Sequence, residues 1–254
     1  MEVGTVPCRL NGEYDIVLPK HRAEAAHWNT EQGWERKRLS RLRETIQGQY
    51  GRPRGVRFIV FYVGAESGDM ATLCALWGAE MVLFEPNASA WPNIRVTWEA
   101  NKQRPPLATY VGFCSDKTDE HPSHPETPPF EMRDGWPTCA YGPVIPDNDF
   151  RALIDQSHMA PQIRIDDFVE RTGIVPDIIS FDVEGSEWCV CRGAEQTLRK
   201  HRPTIFASIH PEFMVLQRGE YSVDFRKWIT DIGYVERYLD YHHELHMVYT
   251  AEDE

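Results

Sequence analysis

The chain has 254 residues, 41% hydrophobic and 26% charged, a composition typical of a folded globular protein rather than a disordered or fibrous one. Its formal net charge is −12, and no basic cluster extends beyond a short stretch at 36–43, which argues against a nucleic-acid partner. No run approaches the ~20 apolar residues of a membrane span and the N-terminus lacks a signal-peptide pattern, so we expect one cytoplasmic domain over 1–254.

The six cysteines are scattered along the chain, and Cys74 and Cys189 lie inside apolar segments. This distribution predicts buried free thiols rather than a framework of disulfides. Cys189 and Cys191 form a CxC pair without a second pair at metal-site spacing, so we predict no zinc site there.

Residues 1–53 are predicted to cover the sheet or the mouth of a ligand site. A weak strand is expected over 14–18, where Pro19 ends it. A helix is expected over 31–47, because its apolar residues fall near one face and glycines follow it.

The cofactor half of the chain, predicted over 57–116, begins with an uninterrupted apolar run at 58–63. Such a run is typical of a parallel strand buried on both faces. Gly64 and Gly68 then allow a sharp turn into a helix, for which Asp69 is the expected N-cap.

A second buried strand at 81–84 ends on Glu85, about 20 residues after the glycine turn. An acid at this strand tip reaches the ribose hydroxyls of a bound nucleotide in βαβ units, so we predict an adenosine-type ligand. The alternative is a glycine loop that serves only as a tight turn. Two glycines instead of GxGxxG favour S-adenosylmethionine, which has no pyrophosphate to bind.

A polar helix is expected over 90–101 and a third strand over 108–113, whose tip carries Ser115 and Asp116. Residues 117–161 are rich in proline and irregular, and we interpret them as an acceptor-side insertion. Aromatic residues there are expected either to stack on an acceptor or to anchor the insertion; these are Trp136, Tyr141 and Phe150. His121 and His124 are expected to be solvated.

The second half, 162–254, contains a buried strand at 178–181 that ends on Asp182, with Glu184 close behind. Two carboxylates at this tip would favour a cationic sulfonium and orient or deprotonate an acceptor hydroxyl. Alternatively, they would hold a divalent cation through oxygen ligands.

A helix over 187–200 and a strand over 204–209 follow and deliver His210 to the same edge of the sheet. An imidazole titrates near neutral pH, so His210 is our candidate general base. The competing interpretation is a structural histidine at the end of the strand.

A helix over 225–230 and a terminal hairpin would complete a sheet of seven strands. His242, His243 and His246 lie in this hairpin and are interpreted as surface residues, because only His242 and His246 share a strand face. The acidic end at 251–254 is expected to be frayed.

Two blocks of sequence carry the strongest signal for function. The first comprises residues 63–69 (VGAESGD), 84–87 (FEPN) and Asn101, and the second comprises 165–168 (IDDF), 176–179 (PDII), 182–187 (DVEGSE) and 192–194 (RGA). In this order and at this separation they resemble the FkbM family of S-adenosylmethionine-dependent methyltransferases, over about residues 57–213. The chain departs from the family at Tyr62, Glu66 and Ser180, where the family usually has Asp, usually has Asn and often has Lys.

The resemblance implies a Rossmann-like, doubly wound, mostly parallel sheet of seven strands that binds S-adenosylmethionine. It also implies transfer of a methyl group to a hydroxyl of a saccharide or glycan-like small molecule. The cofactor-binding residues that follow from it and from the strand tips are Tyr62, Gly64, Ala65, Glu66, Gly68, Glu85, Pro86, Asn87, Ser115, Asp116 and Asp182. The candidate catalytic residues are His210, Asp182 and Glu184.

Two other functions remain open at this point. A nicotinamide-dependent oxidoreductase is disfavoured because the loop lacks the third glycine and Glu66 would repel a pyrophosphate. A non-catalytic methyltransferase-like binding module is favoured by Tyr62 and Glu66. The sequence leaves the oligomeric state and the acceptor undetermined.

Overall fold

A computed structural model describes residues 4–24, 33–48, 56–119, 132–145, 161–241 and 243–251. The predictions made for His121, His124, Phe150, His242 and the acidic residues 252–254 lie outside these ranges. Within them, none of the helices has the length and apolar character needed to cross a membrane.

A central sheet of seven strands organises the described residues, in the order β12-β13-β11-β10-β3-β4-β5. Its strands are β3 (Ile59–Val63), β4 (Glu80–Phe84), β5 (Ala108–Tyr110), β10 (Ile178–Asp182), β11 (Thr204–Ile209), β12 (Tyr234–Tyr241) and β13 (Leu245–Ala251). Six of them run in the same direction, and β13, which is antiparallel to both of its neighbours, is the exception among these seven. The predicted α/β class and the mostly parallel sheet are therefore confirmed.

Other strands of the described residues lie outside this sheet. They are β1 (Thr5–Leu10), β2 (Tyr14–Pro19), β6 (Phe113–Cys114), β7 (Met132–Arg133), β8 (Trp136–Pro137) and β9 (Gln162–Ile163). The helices are α1 (Lys20–Ala23), α2 (Arg36–Gly48), α3 (Asp69–Leu76), α4 (Trp91–Ala100), α5 (Ile165–Thr172), α6 (Glu187–Gly193), α7 (Glu195–His201), α8 (Pro211–Arg218) and α9 (Ser222–Asp231), with a 3-10 turn at Thr138–Tyr141.

The central strands are buried on both faces, as their unbroken apolar runs predict. On β3, Val60 and Tyr62 belong to one hydrophobic core, whereas Phe61 and Val63 belong to the other. Successive side chains of a strand point to opposite faces, so this alternation fixes one layer of helices on each side. The strand order reverses between β3 and β10, and the carboxyl ends of the strands at such a switch point form a ligand crevice.

Two predicted elements are each divided in the structure. The strand expected over 108–113 ends at Tyr110, and β6 leaves the central sheet to pair with β9. The break falls at Gly112, where a Cβ atom would lie 2.5 Å from the Pro161 carbonyl oxygen, so the chain passes too close there for a regular strand. The helix expected over 187–200 breaks at Ala194 instead.

Asp166 explains why a new helix starts after that break. Its carboxylate accepts hydrogen bonds from the backbone amides of Gln196 (3.1 Å) and Thr197 (2.8 Å), near the start of α7. A carboxylate at a helix N-terminus satisfies amides that have no intrahelical partner. The expected N-cap role of Asp69 is wrong by one residue, because Gly68 (φ 81°) is the N-cap and Asp69 is the first residue of the helix. The Asp69 carboxylate accepts from Arg22 Nε (2.6 Å) and from the Met70 amide (3.0 Å).

β1 and β2 pair as a hairpin over residues 5–19, of which only β2 was expected. β1 shows alternating exposure and has no long apolar run, so the sequence carries little signal for it. Asn101 holds the hairpin on the domain: its side chain accepts from the Val17 amide (2.9 Å) and donates to the Val17 carbonyl (2.7 Å). This residue of the first motif block therefore has a structural role.

We expect Asn101→Ala to lower the free energy of unfolding by about 1–3 kcal/mol, because three hydrogen bonds to partly buried backbone groups are lost, two to Val17 and one to the Thr97 carbonyl. Urea denaturation measures this change. Glu99→Ala is the matched control on the same helix, since it removes an exposed ion pair with Arg95 worth less than about 1 kcal/mol. Equal losses in the two variants would refute the role of Asn101.

The described part of the insertion favours the anchoring interpretation of its aromatic residues. Trp136 is buried beside Trp98, with ring centroids 6.1 Å apart. The ring of Tyr141 lies against the guanidinium groups of Arg95 (4.3 Å) and Arg133 (4.5 Å). Both rings are thus engaged by the protein itself, and acceptor stacking is not needed to explain them.

Candidate cofactor and active site

The glycine loop and the tip of β4 form one hydrogen-bonded unit. Glu85 is buried, and its two carboxylate oxygens accept from the backbone amides of Glu66 (2.9 Å) and Asn87 (2.8 Å). The Gly64 and Ala65 amides both donate to the Phe84 carbonyl, at 2.9 and 3.1 Å. The structure therefore brings together the loop and the acid that the sequence predicted.

Glycine is required in this loop for two reasons. Gly64 has a φ of 81°, and a Cβ atom there would lie 2.1 Å from the backbone oxygen of Asp182. Gly68 has the same φ, and its Cβ would lie 2.9 Å from the Cα of Ile94. Only glycine tolerates both the left-handed backbone and the close approach. The loop is thereby held directly against the tip of β10.

The residues around Glu85 fit the ribose of an adenosine-type cofactor. Each carboxylate oxygen has a second lone pair beyond the one used by a backbone amide, so the pair can accept from two ribose hydroxyls. Burial raises the pKa of Glu85 to about 7 despite the two backbone hydrogen bonds, which act in the opposite direction. Pro86 carries the chain from Glu85 to Asn87, whose Oδ1 accepts from the Ser89 amide at 2.9 Å.

Two of the departures from the family have neighbours that compensate for them. The Glu66 side chain is 62% exposed, and Arg22 Nη2 lies 3.6 Å from its carboxylate, so its charge is partly balanced. Beside Ser180, where the family often has Lys, Arg38 of α2 donates from Nη2 to the Ser180 hydroxyl (2.8 Å). A cation is therefore present at this position, supplied by another part of the chain.

Arg38 is 1% exposed and also donates from Nη1 to the Glu35 carboxylate. Tyr62 lies in the same buried region, and its pKa is raised by burial, against the opposing effect of the Arg38 charge. Tyr62 therefore faces the buried ion pair of α2, and a cofactor contact for it stays a prediction.

Ser115 and Asp116 contact the second half of the chain. The backbone oxygen of Ser115 packs against Gly193, where a Cβ atom would lie 1.9 Å away. Asp116 pairs with Arg192 (3.2 Å), which also pairs with Glu220 (2.7 Å). These contacts join β6 to α6, and cofactor binding by the two residues stays a prediction.

The three candidate catalytic residues meet at the tips of β10 and β11. His210 is 5% exposed, and its Nε2 atom lies 3.6 Å from Asp182 Oδ1 and 3.6 Å from Glu184 Oε2. Glu184 (φ 50°) and Gly185 (φ 100°) make the turn that brings the carboxylates back towards the histidine. Because β3 neighbours β10, the site lies beside the glycine loop.

Two further glutamates complete this site. Glu187 Oε1 lies 2.8 Å from His210 Nδ1 and also accepts from the His210 and Gly185 amides. Glu244, in the turn between β12 and β13, is 1% exposed and places Oε2 2.8 Å from His210 Nε2. Glu187 belongs to the DVEGSE block and had a sequence signal, whereas Glu244 had none. We call Asp182, Glu184, His210 and Glu244 the acid–histidine cluster.

The interpretation of the hairpin histidines as surface residues is wrong for His246. Its side chain is fully buried, and Nδ1 lies 3.2 Å from the Ser208 hydroxyl on the neighbouring β11. Burial lowers the pKa of His246, which favours its neutral form. His243 is half exposed and packs against the Trp34 ring.

Burial and the close charges of the cluster shift the pKa values of His210 and Asp182. Burial would lower the pKa of His210, but contacts with Glu187 and Glu244 outweigh it and raise the pKa to about 11. Burial, reinforced by the charges of Glu244 and Glu35, raises the pKa of Asp182 well above its usual value. At neutral pH the imidazole in this arrangement carries a proton on each nitrogen, which argues against His210 as a general base. Glu184 lies beside His210 with a side chain that is 68% exposed, so an acceptor hydroxyl can reach its carboxylate.

Comparison with known proteins gives the family. The model of the methyltransferase FkbM domain matches residues 63–241. Among curated proteins, no sequence matches the chain.

Three solved structures illustrate the structural similarity. The FkbM methyltransferase of Methylobacillus flagellatus KT is 15% identical with a TM-score of 0.47, and the match covers 79% of this chain and 46% of that one. A SAM-dependent methyltransferase of Agrobacterium tumefaciens is 11% identical with a TM-score of 0.47, covering 98% and 70%. The C-terminal domain of precorrin-6Y C5,15-methyltransferase from Rhodobacter capsulatus is 13% identical with a TM-score of 0.40, covering 83% and 87%.

The chain thus spans less than half the length of the first of these proteins. The family assignment rests on the domain match, which covers well over half of the chain and contains the glycine loop, Glu85, Asp182 and His210. The chain belongs to the FkbM family of S-adenosylmethionine-dependent methyltransferases.

Proposed function

We propose that this chain transfers a methyl group from S-adenosylmethionine to a hydroxyl of a small-molecule acceptor, a saccharide or glycan-like compound. The observation that carries the proposal is the placement of Glu85 and the glycine loop directly beside the acid–histidine cluster. One edge of the sheet thus offers a ribose-binding acid and, next to it, groups that can take a proton. The saccharide class rests on the resemblance to the family.

When bound, the cofactor would supply an electrophilic methyl group on a cationic sulfur. Glu85 would hold the ribose through its free lone pairs, and the loop backbone would border the rest of the ligand. Asp182 and Glu184 would orient the acceptor hydroxyl, and Glu184 would take its proton as the new bond forms. Alignment of the reacting atoms contributes most of the rate in such a transfer, so the shape of the crevice matters more than any single base.

Family membership disfavours the nicotinamide-dependent alternative, and the non-catalytic alternative is tested by ligand binding. We expect titration calorimetry on the purified chain to show micromolar binding of both S-adenosylmethionine and S-adenosylhomocysteine. A glycan panel with a radiolabelled methyl donor would then identify the acceptor. Absence of binding of either ligand to a sample with a cooperative thermal transition would refute the proposal and favour the binding module.

The raised pKa of Glu85 predicts a pH-dependent affinity. Its pKa of about 7 means that the carboxyl becomes protonated as the pH falls through neutrality, and only the ionised form accepts from two hydroxyls. We therefore expect the dissociation constant for S-adenosylhomocysteine to rise about tenfold between pH 8 and pH 6. Any affinity left in Glu85→Gln should not vary over this range, and a flat profile for the unmodified chain would contradict the prediction.

A further inference from the structure

The acid–histidine cluster has the composition and spacing of a metal site. Ligand atoms of Asp182, Glu184 and His210 all lie within 4.8 Å of one another, and so do those of Glu35, Asp182 and Glu244. Asp182 is shared by both groups, and Glu244 Oε2 approaches His210 Nε2 to 2.8 Å. Four side chains from three separate chain segments therefore converge on one point.

One carboxylate oxygen of this cluster, Asp182 Oδ1, is buried and accepts no hydrogen bond from the described residues. His210 Nε2 lies 3.6 Å from it, beyond hydrogen-bonding distance, and is instead paired with Glu244 Oε2 at 2.8 Å. Buried carboxylate oxygens are nearly always paired in folded proteins, so Asp182 Oδ1 indicates a missing positive partner.

Carboxylates outnumber the basic side chains around the cluster. Glu35, Asp182, Glu187 and Glu244 lie about only two basic groups, Arg38 and His210. A buried site so rich in carboxylate oxygens is suited to hold a further cation.

Glu187 orients the histidine as metal sites require. By accepting from Nδ1 at 2.8 Å, it leaves Nε2 directed towards the carboxylates. A histidine that binds a metal commonly donates its other ring N–H to a carboxylate, which fixes the tautomer and the ring plane. Glu187 is a positioning residue in this arrangement.

We propose that Asp182, Glu184, His210 Nε2 and Glu244 bind one divalent cation of the manganese type, which displaces the proton from Nε2. Two ligands each about 2.1 Å from an ion lie about 3.0–3.4 Å apart at octahedral or tetrahedral angles, and the distances from Nε2 of 2.8 and 3.6 Å bracket that range. One imidazole with three carboxylates suits Mn²⁺ better than Mg²⁺, which prefers oxygen and water.

The ion would face the open side of the crevice. Glu184 is 68% exposed and Asp182 is 29% exposed, whereas Glu244 closes the opposite side. If the proposed function holds, an acceptor hydroxyl would bind the ion there and become more acidic. Its proton would pass through Glu184 to water, the oxygen–methyl bond would form, and the sulfur would keep the electrons of the broken sulfur–methyl bond.

The test measures metal binding without cofactor, so its outcome is independent of methyl transfer. The full chain, freed of metal with a chelator, is titrated with Mn²⁺ and followed by calorimetry and by the paramagnetic resonance signal of free Mn²⁺. We expect one ion per chain. Asp182→Asn should abolish the binding, and the exposed Glu184→Gln should weaken it at least tenfold with an unchanged thermal transition.

Glu212→Gln is the matched control, because this exposed glutamate lies on α8 just after His210 but outside the cluster. It should leave the Mn²⁺ affinity unchanged. Absence of saturable Mn²⁺ binding to the folded chain, or equal affinity in Asp182→Asn, would overturn the metal site. Binding of S-adenosylmethionine is measured on the same sample, so failure of that ligand alone refutes the proposed function and leaves the metal site standing.

Discussion

Glu85→Ala is expected to weaken S-adenosylmethionine binding at least 100-fold. Two ribose hydroxyls would lose their acceptor, and a hydrogen bond to a charged group contributes about 1.5–3 kcal/mol. The combined loss of about 3 kcal/mol or more corresponds to two or more decades in the dissociation constant. The substitution also removes the carboxylate that accepts from the Glu66 and Asn87 amides, so the loop loses its tie to β4.

Glu80→Ala is the control for this experiment. Glu80 begins the same strand that Glu85 follows, so it lies at the opposite edge of the sheet from the site. The two variants remove the same chemical group, yet only Glu85→Ala should change the calorimetric isotherm. A thermal melt confirms that both chains are folded. If Glu85→Ala binds the cofactor as tightly as the unmodified chain, the cofactor site has been placed wrongly.

The local elements of the cofactor half could be predicted because each depends on neighbouring residues. An apolar run, a pair of glycines and an acid at fixed spacing specify β3, the loop and Glu85 without reference to the rest of the chain. The structure adds the reason for the glycine at position 64, which is the close approach of Asp182 from a strand over a hundred residues later.

The remainder of the site depends on contacts between distant segments. Glu244 lies in a hairpin turn, where a glutamate is ordinarily solvated, and it reaches the site only because β13 pairs with β11. His246 was assigned to the surface because the alternation of a strand tells which residues share a face but not which face is buried. Its burial follows from the register that places it opposite Ser208.

The roles of Trp136 and Tyr141 also could not be predicted from the sequence. Aromatic residues in the sequence of a proline-rich insertion are equally consistent with ligand stacking and with anchoring. The sequence could not distinguish the two, because the partners Trp98 and Arg95 belong to α4, about 40 residues earlier.

The contact of Arg38 with β10, beside the site, is another feature that the sequence did not predict. It belongs to the short basic stretch at 36–43, yet it is 1% exposed and donates a hydrogen bond to Ser180 of the central sheet. The cation that the family often carries on β10 therefore comes from α2 in this chain. This exchange links the N-terminal segment to the switch point of the sheet.

Arg38→Met should lower the free energy of unfolding by about 3–5 kcal/mol. The substitution keeps most of the side-chain volume but leaves Glu35 buried without its cation, and an uncompensated buried charge has a penalty of that size. For a domain of this length, the melting temperature should fall by roughly 10 °C, which differential scanning calorimetry measures. The double variant Glu35→Leu with Arg38→Met should recover much of the loss, because it removes the stranded charge together with its partner.

Arg41→Met tests whether the effect belongs to burial rather than to loss of an arginine from α2. Arg41 lies one turn later and pairs with Glu44 at 3.3 Å, but both side chains are largely exposed. Solvent screens such a pair, so its loss should change stability by less than about 1 kcal/mol. A similar destabilisation in both variants would mean that Arg38 does not neutralise the carboxylates beneath the site. A large loss confined to Arg38→Met and reversed in the double variant would establish that it does.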